Sequence, residues 1–247
     1  VIIGISGRKQ SGKTTTGNFI VSLKLAELGI CEKIDIDHCG RIVVSDLFGD
    51  KNYSGILDIS VRNNDFMLNK LYNLLDPYIK VYSFADPLKQ DICMNMLGLS
   101  YDQCYGSDDD KNSITDIFWE NIPGNISKQG PMTAREVMEV VGTDLFRKIK
   151  GDVWVSTTLR KIQQDKAEIA VIVDCRFPNE VDSIKTHGGK IIRLTRNPFN
   201  SSATAEAALD SYNYDWTNFD YIINNENMTI YDQCMDIQKF LQETLSL

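Results

Sequence analysis

Eight residues constrain this chain more than anything else in it. Gly7 to Thr14 read G-R-K-Q-S-G-K-T, which is the pattern G-x-x-x-x-G-K-[ST] without a departure. The residues ahead of it, "VIIGI", are apolar and β-branched, as in a buried parallel strand. From Thr14 to Leu28 the pattern turns helical, with Phe19, Leu23 and Ala26 on one face and Gly29 as a stop. A glycine loop between a strand and a helix is the setting in which successive backbone amides, aided by the helix N-terminus, cradle phosphate oxygens. Gly7 and Gly12 give the backbone the freedom this requires. Lys13 would neutralise the terminal phosphates of a nucleoside triphosphate, and the Thr14 hydroxyl would ligate Mg²⁺.

A second stretch, "AEIAVIVDCRFPNEVDSIKTHGGKIIRL", reads as strand, helix and strand. Ile169 to Val173 form an apolar run closed by Asp174, a carboxylate at a strand tip where such folds place a Mg²⁺-linked acid. Capping of the following helix is the other reading of Asp174. Arg176 follows, and Arg193 and Arg196 fall at the end of the next strand. This βαβ unit predicts parallel pairing. The expected fold is α/β: a P-loop NTPase three-layer architecture with a mostly parallel central sheet and helical insertions. Residues 1–247 form a single domain in this reading, with insertions at roughly 40–132 and a lid-like region at roughly 195–218.

Between these landmarks, "KVYSFADPLK" predicts a strand and then a helix with Pro87 at its first position and Asp86 before it as an N-cap, a ligand contact or both. Residues 100–131 are polar and irregular, and Asp108 to Asp110 read as a solvated loop. "TAREVMEVVGTDLFRKI" opens with a capping box, Thr133 with Glu136, and Gly142 predicts a break or a close approach within it. The chain closes on an amphipathic helix that Thr229 and Asp232 can cap.

Composition removes other classes. A net charge of −8 argues against a polynucleotide grip, which needs a basic face, but not against a mononucleotide. The six cysteines are scattered without a C-x-x-C pair and only two histidines are present, so no zinc site is expected, His38-Cys39 included, and a reducing, cytoplasmic compartment fits. No membrane span or secretory leader is expected. "IINNEN" lacks the N-K-x-D spacing of a guanine-binding switch.

These blocks resemble the phage deoxynucleoside monophosphate kinase family. The likeness runs through "GISGRKQSGKTTTGNFI", "YSFADPLK", "TAREVMEVVGTDLFRK" and "VIVDCRFPNEVDSIKTHGGKIIRLTRN", and the middle insertions depart from it. It implies transfer of the ATP γ-phosphate to a deoxynucleoside 5′-monophosphate (dNMP), with ATP and Mg²⁺ as the cofactors. It also implies a small-molecule partner and suggests a homodimer, while the charge and the lack of an expected span argue against nucleic acid and membrane. On this resemblance Lys13, Arg176 and Arg196 are the catalytic candidates. Gly7, Lys9, Ser11, Gly12, Lys13, Thr14, Thr15 and Arg193 hold the ATP. Thr14 and Asp174 hold the metal. Asp86, Lys89, Arg135, Arg147 and Trp154 face the acceptor. The family's H-x-S-E in the lid is here "ATAE", Ala203 to Glu206. Two other readings stay open: a P-loop kinase for another small phosphate acceptor, such as phosphomevalonate or dephospho-coenzyme A, and a P-loop ATPase or switch with a macromolecular partner.

Overall fold

The computed structural model describes residues 1–59, 66–199 and 207–245. In chain order the strands are β1 Ile2–Ser6, β2 Cys31–Ile36, β3 Ile42–Leu47, β4 Asp50–Leu57, β5 Ile79–Tyr82, β6 Ile114–Phe118, β7 Pro131–Thr133, β8 Ile169–Cys175, β9 Lys190–Leu194 and β10 Tyr221–Ile223. The helices are α1 Lys13–Leu28, α2 Phe66–Leu75, α3 Tyr101–Tyr105, α4 Asp108–Lys111, α5 Ala134–Glu139, α6 Arg147–Ile149, α7 Val153–Asp165, α8 Pro178–Thr186 and α9 Ile230–Leu245. The chain divides into two compact units, one made of Val1–Ser83 with Ile162–Leu247, the other of Phe84–Lys161.

The first unit carries a five-stranded sheet in the order β10-β9-β1-β8-β5. Every pairing in it is parallel. Parallel strands covered on both faces must be apolar throughout, and β1 obeys this with Ile3 and Ile5 fully buried. In β8, Ile169 to Ile172 are all buried. Truncating one such isoleucine to alanine costs roughly 2–5 kcal/mol. Helix α2 buries Leu68, Leu71 and Leu75, one helical stripe, in the same core.

This unit also holds an antiparallel sheet, β2-β3-β4, that no pattern in the sequence announces. Its β2–β3 turn is built by Asp37, whose carboxylate accepts the amides of Cys39 and Arg41 at 2.9 Å each and the Arg41 Nε at 2.8 Å. Asn18 of α1 donates to the Gly40 carbonyl at 2.7 Å and accepts from the Ile59 amide at 3.0 Å, which ties the turn to the helix behind the glycine loop.

The second unit has its own core of Cys93, Leu99, Cys104, Met132, Ala134 and Val137. The Thr133–Glu136 capping box forms as expected. Past Glu139 the helix widens into a π-type segment, Val140–Phe146. A side chain at Gly142 would come within 2.7 Å of Leu88, so the predicted close approach is real. Residues 100–131 are more regular than their composition predicts. Ser107 and Asp110 form a reciprocal cap that turns the aspartate run into α4, and β6 and β7 pair as an antiparallel ribbon.

Candidate active site

The carboxyl ends of the parallel strands gather the first unit's candidates on one edge of the sheet. β1 runs into the glycine loop, β8 ends at Asp174 and Cys175, β9 leads to Arg193 and Arg196, and β5 is followed by Ser83. β1 lies between β8 and β9, and Ser6 is in register with Cys175 on one side and Arg193 on the other. Ligands of open α/β sheets bind outside such carboxyl ends.

The loop has the conformation its sequence predicts. Gly12 has φ +100°, a left-handed value that other residues rarely adopt. A Cβ on Gly7 would run into Ser11 Oγ and crowd the Cβ atoms of Ser11 and Leu194, so the first glycine suits a tightly packed position. Lys13 Nζ donates to the carbonyls of Gly7 at 2.8 Å and Arg8 at 2.6 Å, which folds the ammonium across the loop. The Ser11 hydroxyl is buried and has no hydrogen-bond partner among the described residues, an unusual and costly state inside a protein. Lys9 and Thr14 are exposed, and Thr15 is half-buried. An orphaned hydroxyl in a crowded amide loop at a helix N-terminus fits a phosphate ligand.

Asp174 is half-buried and accepts from Ser83 Oγ at 2.5 Å. The helix that follows is capped by another residue: Glu180 Oε2 accepts from the amides of Arg176 at 2.7 Å and Phe177 at 3.0 Å. Thr14 and Asp174 are hard oxygen donors, the type Mg²⁺ selects. Arg176 stands half-buried just past β8.

The other two candidate arginines of this unit, Arg193 and Arg196, are deeply engaged. Arg193 is 4% exposed, donates to Ser6 Oγ at 2.9 Å and Asp210 Oδ1 at 3.3 Å, and lies over the Trp216 ring. Asp210 also pairs with Arg8 of the loop. Burial alone would raise the Asp210 carboxyl, but hydrogen bonds from Arg8 and Tyr212 and the Arg8 and Arg193 charges hold it below its ordinary value. Arg196 sends Nε to the Asn225 carbonyl at 3.0 Å and Nη2 to the Met228 carbonyl at 2.7 Å. The "ATAE" segment lies outside the described residues.

The second unit holds the remaining candidates. Asp86 forms no side-chain cap; its Oδ1 instead accepts from the Tyr105 hydroxyl at 2.8 Å. Lys89 Nζ lies 4.5 Å from the centre of the same ring. Burial first, then the Asp86 charge and hydrogen bond, push the Tyr105 phenol well above its ordinary pKa, so it stays a donor. Arg135 Nη2 donates to Asp108 at 2.8 Å and its Nε to Asn112 at 2.9 Å. Arg147 begins α6 and is half-buried. Trp154 is 6% exposed and gives its indole N–H to the Gly142 carbonyl at 3.1 Å, the placement of a packing residue. Asp37, His38 and Cys39 bring ligand atoms within 4.8 Å of one another, but the Asp37 carboxylate is occupied by its own turn. Among the described residues no helix is long and apolar enough to cross a membrane.

Strand, glycine loop, helix and strand-tip carboxylate define the P-loop NTPase fold. Residues 80–232 match the deoxynucleotide monophosphate kinase family, and the chain belongs to it. It is similar, at 25% identity over 211 residues, to a protein of Acanthamoeba polyphaga mimivirus whose name carries a provisional deoxynucleotide monophosphate kinase assignment. The match covers 79% of this chain and 74% of that protein. The chain is a nucleotide-using kinase of the family that phosphorylates deoxynucleoside monophosphates.

Proposed function

We propose that this kinase transfers the γ-phosphate of ATP to a deoxynucleoside 5′-monophosphate and releases ADP and the diphosphate. The observation that carries the reading is the loop Gly7–Thr14 at the end of the central strand, with Asp174 at the tip of the neighbouring strand. The loop amides, Lys9, Ser11, Lys13 and Thr15 bind the ATP phosphates. Thr14 and Asp174 hold Mg²⁺, which supplies charge neutralisation when bound. The acceptor phosphate is already an anion at neutral pH, so no general base is required. Lys13 and Arg176 gather the charge of the transferring phosphoryl group. Arg196 is the third cation assigned to this step, and must leave the Asn225 and Met228 carbonyls to take part. Asp86, Lys89 and Arg135 orient the acceptor, with Arg147 as a further candidate.

An ADP-release assay with ATP and Mg²⁺ tests the reading across dNMPs, NMPs, phosphomevalonate, dephospho-coenzyme A and no acceptor. Release that depends on one or more dNMPs is expected. Release driven by another acceptor, or equal without any, overturns it. Sedimentation at working concentration checks the homodimer that the family resemblance implies.

A further inference from the structure

The glycine loop is held from behind by two amide side chains that no pattern in the sequence marks. Gln233, in the first turn of α9, is 2% exposed, and Asn225, just past β10, is fully buried. Gln233 Nε2 donates to Thr16 Oγ1 at 2.9 Å and to the Gly12 carbonyl at 3.3 Å. Thr16 Oγ1 in turn donates to the same Gly12 carbonyl at 3.0 Å. Asn225 Nδ2 donates to the Ser11 carbonyl and to Gln233 Oε1, both at 2.7 Å. Its Oδ1 accepts from the Arg196 amide at 2.8 Å. Both amides therefore work on the carbonyl side of the loop. Each carbonyl they hold inward fixes a peptide plane whose amide turns the opposite way, toward the phosphate side. A Cβ on Gly12 would reach 3.0 Å from the Gln233 amide, so the clamp sits against the glycine whose φ, +100°, turns the loop into the helix.

We infer that Asn225 and Gln233 are positioning residues for the ATP phosphates, a neutral carboxamide clamp that sets the Ser11 and Gly12 peptides from the carbonyl side. The inference rests on the reading of this loop as the ATP site. Neutrality matters: a cation here would compete with Lys13 for the phosphates, and an anion would repel them. The carboxamide is the group that donates to two acceptors and accepts a third bond without charge. The clamp also joins the nucleotide loop to the backbone just past β9, at the Arg196 amide.

Gln233→Met keeps the length and apolar bulk of the side chain and removes all three bonds. Thr16→Val is a second, near-isosteric cut of the same clamp, made within α1. ATP binding with Mg²⁺ and no acceptor is measured by calorimetry well below each variant's Tm, beside KM for ATP and for the acceptor. Gln233→Met is expected to weaken ATP about tenfold in both Kd and KM, with the acceptor KM moved less than about twofold. The double variant is expected to lose little more than the worse single one, because both cut one network. A lower Tm with unchanged ATP Kd in both variants would make the amides merely structural and overturn the inference. Wild-type protein that takes up no ATP would overturn the reading of the loop itself, and the inference with it.

Discussion

The two compact units of this kinase hold their candidate residues by opposite means. In the first, the glycine loop is backed by buried neutral amides, Asn225 and Gln233, and flanked by a charge pair, Arg8–Asp210, whose side chains are 11% and 13% exposed. In the second, Arg135 is held by Asp108 with side chains 40% and 59% exposed, and Asp86 and Lys89 share one tyrosine. The first arrangement is held by buried partners, as the proposed stabilisation of a transferring phosphoryl group would need. The second is cheaper to rearrange, since exposed pairs contribute little and are screened by salt. Buried partners are concentrated around the loop proposed to hold the ATP phosphates and exposed ones around the proposed acceptor residues, so substitutions should grade in effect from one to the other.

The largest effect belongs to Lys13. Lys13→Ala removes the ammonium that crosses the loop and should lower kcat by at least ~10²-fold, the scale of one lost electrostatic donor. Steady-state turnover and thermal melting of the same preparation check it; near wild-type turnover would remove the first unit from the chemistry altogether. Asp210→Asn comes next, and acts on stability. It leaves Arg193, 4% exposed, and Arg8 without their shared carboxylate, at a cost on the order of 2 kcal/mol in denaturant unfolding. The pH dependence has a definite sign. The Asp210 carboxyl titrates below its unfolded value, so its contribution is complete above the ordinary carboxylate range and is lost as pH falls through the lower, folded value. Wild type should therefore lose its advantage over the asparagine variant in acid, and a difference that grows on acidification would contradict the assignment.

The first unit is also the more legible in sequence, and the reason is physical. Loop, strand and helix from Ile2 to Leu28 are fixed by local chemistry: glycines where the backbone crowds or turns left-handed, and β-branched residues where a strand is buried on both sides. The β8–α8–β9 unit and the caps at Thr133 and Thr229 are local in the same sense. The antiparallel sheet is not legible because β4 is mostly exposed and shows no apolar alternation. Nor is the clamp, since Asn225 and Gln233 reach partners 214 and 221 residues away, and nothing local distinguishes them from surface amides. Tyr105 escapes notice likewise, its link to Asp86 spanning 19 residues within a segment whose composition reads as irregular.

Tyr105→Phe sharpens the comparison at intermediate size. It keeps the ring under Lys89 and deletes the donor to Asp86, so the acceptor KM should rise about tenfold, the value of one hydrogen bond to a charged group, while the ATP KM stays within about twofold. A rise confined to ATP would transfer Asp86 to the other substrate.

The smallest effect is expected from Asp108→Asn. Its pair with Arg135 is exposed on both sides, so the loss in stability should stay below about 1 kcal/mol and shrink further when the salt is raised to about 0.5 M. Arg135 keeps its bond to Asn112 in this variant, so the guanidinium remains anchored at Nε and only its Nη2 side is released. Arg135→Ala, by contrast, removes the cation itself and should raise the acceptor KM, because an arginine matches a phosphate with two parallel donors. The two variants measured together separate holding the side chain from using it. A salt-independent loss above about 2 kcal/mol in Asp108→Asn would show that this pair is held as firmly as those around the loop, and the contrast between the units would fail at the point where it is most exposed.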